Sequence, residues 1–212
     1  YNLRGETGNS DFDIRHSFSG FLSYAFPNAS HARLLLGGWQ VNSLLTFYTG
    51  QPFMIFAGKN ISGTQEFRDR VNVVGDPLKN KPADIPHQAV YWFNPTPCGA
   101  SVTNNCFALP APGTYGNEGR NEFYGPNIYQ VDVSVFKNTP ITERISTQLR
   151  LEMFNVFNTR DLAPPGSLPP TSVNFSSGSF GQIQSTLGAF NGAPGIGTGE
   201  PFNIQLALKL IF

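Results

Sequence analysis

The chain has 212 residues with no net charge, and only 13% of them are charged. This balance offers neither the basic surface of a nucleic-acid-binding protein nor an acidic interaction tail, so no nucleic-acid partner is expected. The 22 glycines, 17 prolines and 19 phenylalanines favour strands and turns over helices. No apolar run approaches the roughly 18 residues that a transmembrane helix needs.

The first two predicted strands lie near residues 13–26 and 35–50. In both segments apolar and polar side chains alternate, which is the pattern of a strand with two chemically different faces. Phe18 and Leu22 alternate with serines in the first segment, and Val41 alternates with polar neighbours in the second.

The third and fourth predicted strands lie near residues 129–138 and 143–157. The third alternates tyrosine and valines with Gln130, Asp132 and Ser134. A helical reading of the fourth would place charged and amide side chains on a single stripe. A period of two fits residues 144–153 better, so a strand is predicted there.

The fifth predicted strand covers residues 201–212, PFNIQLALKLIF. Its apolar side chains lie at every second position and end with Phe212. The run is about twice the usual strand length of 5–6 residues. It matches the 9–11 residues with which a tilted strand crosses a bilayer.

The connections between these strands alternate in length. Short turns are predicted at residues 27–32 and 139–142, and long segments at residues 51–127 and 158–200. Short turns at one end and long loops at the other are typical of outer-membrane barrels. The predicted fold class is therefore an all-β, antiparallel transmembrane β-barrel, here about five long strands with two long outer loops. Any binding surface is expected on those two loops.

Several short motifs occur in an order that resembles one family. They are Asp13-Ile14-Arg15-His16, Gly38-Trp39-Gln40-Val41-Asn42, Thr49-Gly50-Gln51-Pro52-Phe53, Gly119-Arg120-Asn121, Val131 to Lys137 (VDVSVFK) and Phe154-Asn155-Val156-Phe157-Asn158. Together with the closing LALKLIF they resemble the C-terminal barrel region of TonB-dependent outer-membrane receptors. The greatest resemblance is to the Oar-like, carboxypeptidase-regulatory-like group of acidobacterial type.

This resemblance implies a protein of the bacterial outer membrane with a barrel of roughly 22 strands around a plug. Residues 1–212 would form the C-terminal part of that barrel, with the plug and the N-terminal strands absent. The implied function is TonB-dependent uptake of a nutrient. The implied partners are the lipid bilayer, the barrel-assembly machinery, an energy-coupling protein reached through the absent N-terminal region, and an unknown small-molecule, peptide or glycan ligand.

Three groups of residues are predicted to serve a membrane barrel. The resemblance implies an insertion signal in the last strand, comprising Leu206, Leu208, Leu210 and Phe212. Aromatic side chains near the end of the first hairpin fit an interfacial girdle, namely Tyr24, Phe26 and Trp39. Polar side chains predicted to face the lumen are Asp132, Arg144, Arg150 and Glu152.

The lumen-facing charges have two readings. They could line a transport path, or they could pair with one another or with the plug across a polar interior. A turn centred near Pro140–Ile141 would bring Asp132 within cross-strand reach of Arg150. The girdle aromatics likewise have an alternative, which is the core of a soluble sandwich.

Cys98 and Cys106 are the only cysteines, and they lie in a segment rich in Pro, Asn and Gly. No further ligands accompany them, so no zinc site is predicted. The two readings are a local disulfide in an oxidising compartment and two free thiols.

No catalytic motif, metal site or cofactor site is recognisable, and the chain is not expected to be an enzyme. The alternative function is a secreted all-β adhesion or glycan-binding module. Loop aromatics such as Tyr91, Trp92 and Phe93 would then stack on sugars.

Overall fold

The computed structural model describes residues 3–27, 33–65, 68–84, 88–95, 98, 106–167, 170–192 and 197–212. The strands are β1 Ser17–Ala25, β2 Trp39–Tyr48, β3 Pro52–Phe53, β4 Asn72–Val73, β5 Val90–Tyr91, β6 Phe107–Ala108, β7 Phe123–Tyr124, β8 Ile128–Pro140, β9 Ser146–Phe154, β10 Gln182–Ile183 and β11 Asn203–Ile211. The helices are α1 Arg33–Leu36 and α2 Leu187–Phe190, with 3-10 turns at Leu3–Glu6 and Pro170–Val173. None of the described helices is long and apolar enough to cross a bilayer.

The five long strands form one antiparallel sheet in the order β1-β2-β8-β9-β11, which we call the wall. Each long strand pairs with the next long strand along the chain, so the wall is a meander. In the described part of the chain, β1 and β11 are paired on one side only, and the wall is therefore an open sheet.

The ends of all five predicted strands differ from the observed ones by one to four residues. Residues 13–16 precede β1, and residues 35–36 belong to the short helix α1 rather than to β2. Arg144 lies in the exposed turn between β8 and β9. The prediction that Arg144 faces the lumen is therefore wrong. Of the short turn predicted at residues 27–32, residues 28–32 lie outside the described part of the chain.

The register brings most of the apolar side chains of the five long strands onto one face of the wall. One row across the sheet illustrates this: Tyr24, Val41, Val135, Leu151 and Leu206 are successive cross-strand partners. These side chains remain open to the surroundings, as in Leu206 and Leu208, which are 71% and 73% exposed. Exposing an apolar face that spans five strands to water would be energetically unfavourable, whereas contact with lipid would not.

The opposite face of the wall is mainly polar. One row across it comprises the successive partners Ser23, Asn42, Ser134, Glu152 and Gln205. Hydrogen bonds connect such neighbours, for example from Ser23 Oγ to Asn42 Oδ1 at 2.7 Å. Apolar side chains also occur on this face, and the sequence interpretation did not single them out: Phe21, Leu44, Phe136 and Phe154.

The buried core of the protein lies outside the wall. Among the described residues, Ile128 is the only buried apolar side chain that a wall strand contributes. The other buried apolar side chains lie in the two long connections, residues 49–127 and 155–202, which together we call the cap. The wall therefore needs an apolar environment to cover it, whereas the cap has a core of its own.

Candidate functional site

The cap is built around a cluster of aromatic rings. Its buried phenylalanines are Phe53, Phe93, Phe107, Phe123, Phe175 and Phe180. Neighbouring rings in this cluster have centroid separations of 5.0 to 6.1 Å, within the range that aromatic pairs prefer. Burying each such ring stabilises the cap by roughly 1.5–3 kcal/mol before conformational entropy is counted. The two connections thus form one body.

Short strand pairs join distant parts of the cap. β3 pairs with β7, and β4 pairs with β6, within the first connection. β5 of the first connection pairs with β10 of the second, and an isolated bridge joins Phe56 to Asn174. These pairs satisfy backbone groups that would otherwise be buried without partners.

The segment before β1 lies across the cap and is held there by cap side chains that include Arg70, Asn121 and Tyr124. Arg70 donates to Gly5 O at 2.8 Å and to Glu6 Oε1 at 2.7 Å. Asn121, which is 1% exposed, donates through Nδ2 to the Asn9 carbonyl at 2.7 Å. Asn121 has φ of 51°, a conformation that asparagine tolerates better than most residues. This contact explains the asparagine of the Gly119-Arg120-Asn121 motif.

A buried acidic side chain, Glu118, joins two segments of the cap. It is 2% exposed, and its Oε1 accepts from the Ile55 amide at 2.7 Å, while its own amide donates to Val71 O. Oε2 has no hydrogen-bond partner among the described residues. Burial raises the pKa of Glu118 to about 8, more than the Ile55 hydrogen bond lowers it. The carboxyl group is therefore neutral in the folded cap at and below neutral pH.

A hydrogen-bond network centred on Asn155 joins the two ends of the second connection, next to the wall. Asn155 Nδ2 donates to Thr159 O and to Glu200 O, both at 2.7 Å. Its Oδ1 accepts from the Thr159 amide at 2.9 Å, and its own amide donates to Asp132 Oδ1 at 2.9 Å. Asn158 Oδ1 accepts from the Phe202 amide. The two asparagines of the FNVFN motif thus hold together both ends of this connection.

Replacing Asn155 with alanine is expected to loosen residues 155–202 by about 2–4 kcal/mol. The substitution leaves buried backbone groups unpaired and places alanine at φ of 50°. The measurement is hydrogen exchange of the Thr159 amide together with limited proteolysis of the second connection. Asn155→Gly relieves only the backbone strain, so it should restore little of the protection. Exposed Asn191→Ala is the control, and equal protection in Asn155→Ala and in this control would contradict the assignment.

Asp161 lies where the cap meets β8. It is 2% exposed, and its Oδ1 accepts from the Tyr129 amide at 3.0 Å. Oδ2 has no partner among the described residues. Burial raises the pKa of Asp161 to about 6, and the Tyr129 hydrogen bond opposes that rise. Its backbone carbonyl accepts from Leu187, so this residue connects the wall to the second connection.

An open cleft of about 840 Å³ lies between the two connections, beside Arg160 and Leu162. Leu162 and Ile183 line it and belong to a small apolar cluster with Val90. Its polar lining comprises Asp84, Gln88, Asn158, Thr159, Arg160, Gln184, Ser185 and Thr186. Arg160 Nη2 lies 3.5 Å from Asp84 Oδ2. The cleft has the size and mixed lining of a small-molecule site. Apart from Pro201, its lining falls within the segments where the sequence predicted any binding surface, and Asn158 is the one lining residue that belongs to one of the sequence motifs.

Cys98 and Cys106 form a disulfide with a Cα–Cα distance of 5.0 Å. Cys106 is fully buried and precedes Phe107 of the aromatic cluster in the chain. Of the residues between the two cysteines, 99–105 lie outside the described part of the chain. Among the described residues no group of three His, Cys, Asp or Glu side chains could hold a metal ion.

The predicted lumen-facing charges are not brought together. The turn between β8 and β9 is centred on Glu143, so Asp132 lies next to Phe154 and Arg150 faces Phe136. The predicted proximity of Asp132 and Arg150 is therefore wrong, because it assumed a turn centred near Pro140–Ile141. Arg150 instead lies over the Phe136 ring, with the guanidinium carbon 4.9 Å from the ring centroid.

The remaining predicted polar residue of the wall, Glu152, does lie on the polar face, opposite Ser134 and Gln205. Asp132 forms hydrogen bonds rather than an ion pair: its Oδ1 accepts from the Asn155 amide of the cap and from Gln130 Nε2. Neither residue forms an ion pair in the part of the chain that the structure describes.

The predicted girdle aromatics lie together at the turn end of the wall. Tyr24 and Phe26 make an edge-to-face contact with centroids 4.9 Å apart. Lys137 Nζ lies 5.5 Å from the Trp39 ring centroid and donates to Gly37 O. All three aromatic side chains are partly exposed on the apolar face.

A second aromatic group, not predicted from the sequence, lies at the cap end of the same face. Phe47 and Tyr129 have ring centroids 4.9 Å apart, and Phe202 is exposed at the start of the last strand. From Phe202 to Phe212 the strand advances about 33 Å, or roughly 25 Å along the membrane normal at the usual tilt. That height matches the apolar band of an outer-membrane barrel.

The predicted insertion-signal residues lie on the apolar face of β11 and just beyond it. Leu206, Leu208 and Leu210 face the same side as the other apolar rows, and Phe212 is 94% exposed. Lys209 alternates with them on the polar face.

Comparison with known proteins gave one family. Residues 1–205 match the family described as "Outer membrane beta barrel domain". No curated protein and no solved structure matched the chain. The antiparallel wall, its apolar face and its two aromatic levels agree with this assignment, which confirms the predicted fold class and the predicted location. The chain therefore belongs to the outer membrane beta barrel domain family, and its place is the bacterial outer membrane.

Proposed function

We propose that this chain is part of a TonB-dependent outer-membrane receptor of the Oar-like type that takes up a nutrient. The observation that carries the proposal is the cap: two long connections share one aromatic core and enclose a cleft. A preorganised body of this kind suits ligand recognition, because it has already met the entropic cost of ordering its loops. The six sequence motifs, which occur in the same order as in the Oar-like group, support the assignment to TonB-dependent receptors of that type.

The longer loops of outer-membrane barrels face the outside, which places the cap on the extracellular side. The wall supplies lipid-facing apolar side chains and a mainly polar inner face. Its two open edges would be costly in lipid, because unpaired backbone groups have no water to bind. Further strands of the full-length protein therefore complete the barrel, and a plug fills its lumen.

The proposal assigns further partners to other parts of the molecule. The last strand, with Leu206, Leu208, Leu210 and Phe212 on its apolar side, engages the barrel-assembly machinery. An energy-coupling protein acts through a region outside these residues. The chain binds and passes its ligand and does not transform it. Membership of a family of outer-membrane barrels argues against the alternative of a secreted soluble module.

The test is energy-dependent uptake in cells that carry or lack the full-length protein. Cells receive single labelled nutrients at limiting concentration, with and without a protonophore. We expect at least one nutrient whose uptake requires the protein and stops when the protonophore is added. Protein-dependent uptake that survives the protonophore would identify a passive pore and contradict the proposal. The control is a variant of the protein that lacks only the cap and is present in the outer membrane at the same level. It shows whether uptake depends on the cap or only on an intact barrel.

A further inference from the structure

The cleft between the two connections carries both charge signs in one exposed pair. The side chains of Arg160 and Asp84 are 33% and 51% exposed, and their nearest atoms are 3.5 Å apart. That separation is longer than the 2.7–2.9 Å of a strong charge-assisted hydrogen bond. The pair is thus loose enough to open, with the guanidinium offering donors and the carboxylate offering acceptors to a third molecule.

Side-chain amides and hydroxyls surround this pair. Gln88, Asn158 and Gln184 are exposed at the cleft, and each amide can both donate and accept. Thr186 lines the same cleft and donates to Glu200 Oε1 at 2.6 Å, so a second carboxylate lies close by. Gln184 already bonds to Gln182, which holds its amide in place.

The combination selects against charged ligands. A carboxylate or phosphate ligand that reached Arg160 would meet Asp84 and would lie near Glu200. A cationic ligand would meet Arg160. A hydroxyl group both donates and accepts, so a ligand rich in hydroxyls satisfies the amides and both members of the ion pair without adding net charge.

The apolar floor of the cleft also suits a sugar ligand. Leu162 and Ile183 provide an apolar surface beneath the polar rim, and sugars present C–H surfaces that can cover such a floor. A cleft of about 840 Å³ is large enough for a ligand of more than one ring.

We infer that this cleft binds a neutral, hydroxyl-rich ligand, that is, an uncharged oligosaccharide, through Arg160, Asp84 and the amides of Gln88, Asn158 and Gln184. The inference rests on the proposed function only for its biological purpose, the capture of the nutrient to be imported. Binding itself requires neither a plug nor energy coupling.

The experiment is saturation-transfer NMR on the full-length protein in detergent micelles. The probes are neutral oligosaccharides built from glucose, mannose, galactose or xylose, together with oligogalacturonates as anionic probes and chitosan oligomers as cationic probes. We expect saturation transfer to at least one neutral series and none to the charged probes. Arg160→Ala and Gln184→Ala should each weaken binding about tenfold, because each removes hydrogen bonds to the ligand.

The matched control is Arg144→Ala, which removes an exposed arginine in the turn at the other end of the wall. It should leave binding unchanged. Binding of charged probes only, binding of no neutral probe, or binding insensitive to both cleft variants would each overturn the inference. Oligosaccharide binding without energy-dependent uptake would retain the cleft assignment and reject the receptor function, and uptake without oligosaccharide binding would do the reverse.

Discussion

Replacement of Leu206 by arginine is expected to destabilise the membrane-inserted protein by about 2–4 kcal/mol, the cost measured for a cation on the lipid face at mid-bilayer. Leu206 lies near the middle of the last strand, opposite Leu151, and is 71% exposed on the apolar face. An arginine there must either leave the lipid or draw water into it. The measurement is the free energy of unfolding by denaturant in lipid vesicles, together with heat-modifiable migration on unboiled gels.

The adjacent residue gives a matched control for this prediction. Gln205 lies on the polar face opposite Glu152, so Gln205→Arg places the same side chain at the same depth beside a carboxylate. It should change the free energy of unfolding little. Equal losses in Leu206→Arg and Gln205→Arg would show that the two faces are equivalent and would refute the lipid-facing assignment.

The second large effect concerns Glu118 and pH. Its pKa is about 8 in the folded cap, against the ordinary glutamate value of 4.5 in the unfolded chain. Between these two pH values the folded cap binds a proton that the unfolded cap does not. Glu118 should therefore lower the free energy of unfolding by about 3–5 kcal/mol as pH rises from about 4.5 to about 8, and its contribution should level off outside that window.

Glu118→Gln should abolish the slope above about pH 6, because the amide is always neutral and can still accept from Ile55. Below that pH the slope persists in part, because burial raises the pKa of Asp161 in the cap to about 6. The measurement is the opening free energy of the cap at several pH values, from hydrogen exchange of the Ile55 amide corrected for the intrinsic rate. Glu143→Gln, in the exposed turn, is the control and should keep the slope. A cap equally stable at pH 5 and pH 8 in the unaltered protein would refute a neutral buried Glu118.

The wall could be predicted from the sequence because its signal is local. Strand residues alternate between faces with a period of two, so each strand shows its lipid-facing side chains in its own sequence. The lipid-facing residues of β1, such as Tyr24, and of β11, such as Leu206, can be recognised without knowledge of distant parts of the chain. The register was less accessible, since a turn centred on Glu143 rather than near Pro140 moves Asp132 away from Arg150.

The cap could not be predicted in the same way. Its phenylalanines are separated by irregular segments with no period, and Phe93 meets Phe180 only through the pairing of β5 with β10. The burial of Glu118, and hence its raised pKa, depends on Ile55 and Val71 from other segments. The cleft beside Arg160 likewise forms only where the two connections meet.

The amino-acid sequence by itself determined that this protein is a membrane barrel wall with long loops, because hydrophobic alternation is a property of neighbouring residues and of the solvent that each face requires. Only the tertiary structure decided which side chains those loops bury, which carboxyl group they neutralise and where they leave a cleft. Those features arise from contacts between residues far apart in the chain, whose partners are chosen by packing rather than by local pattern.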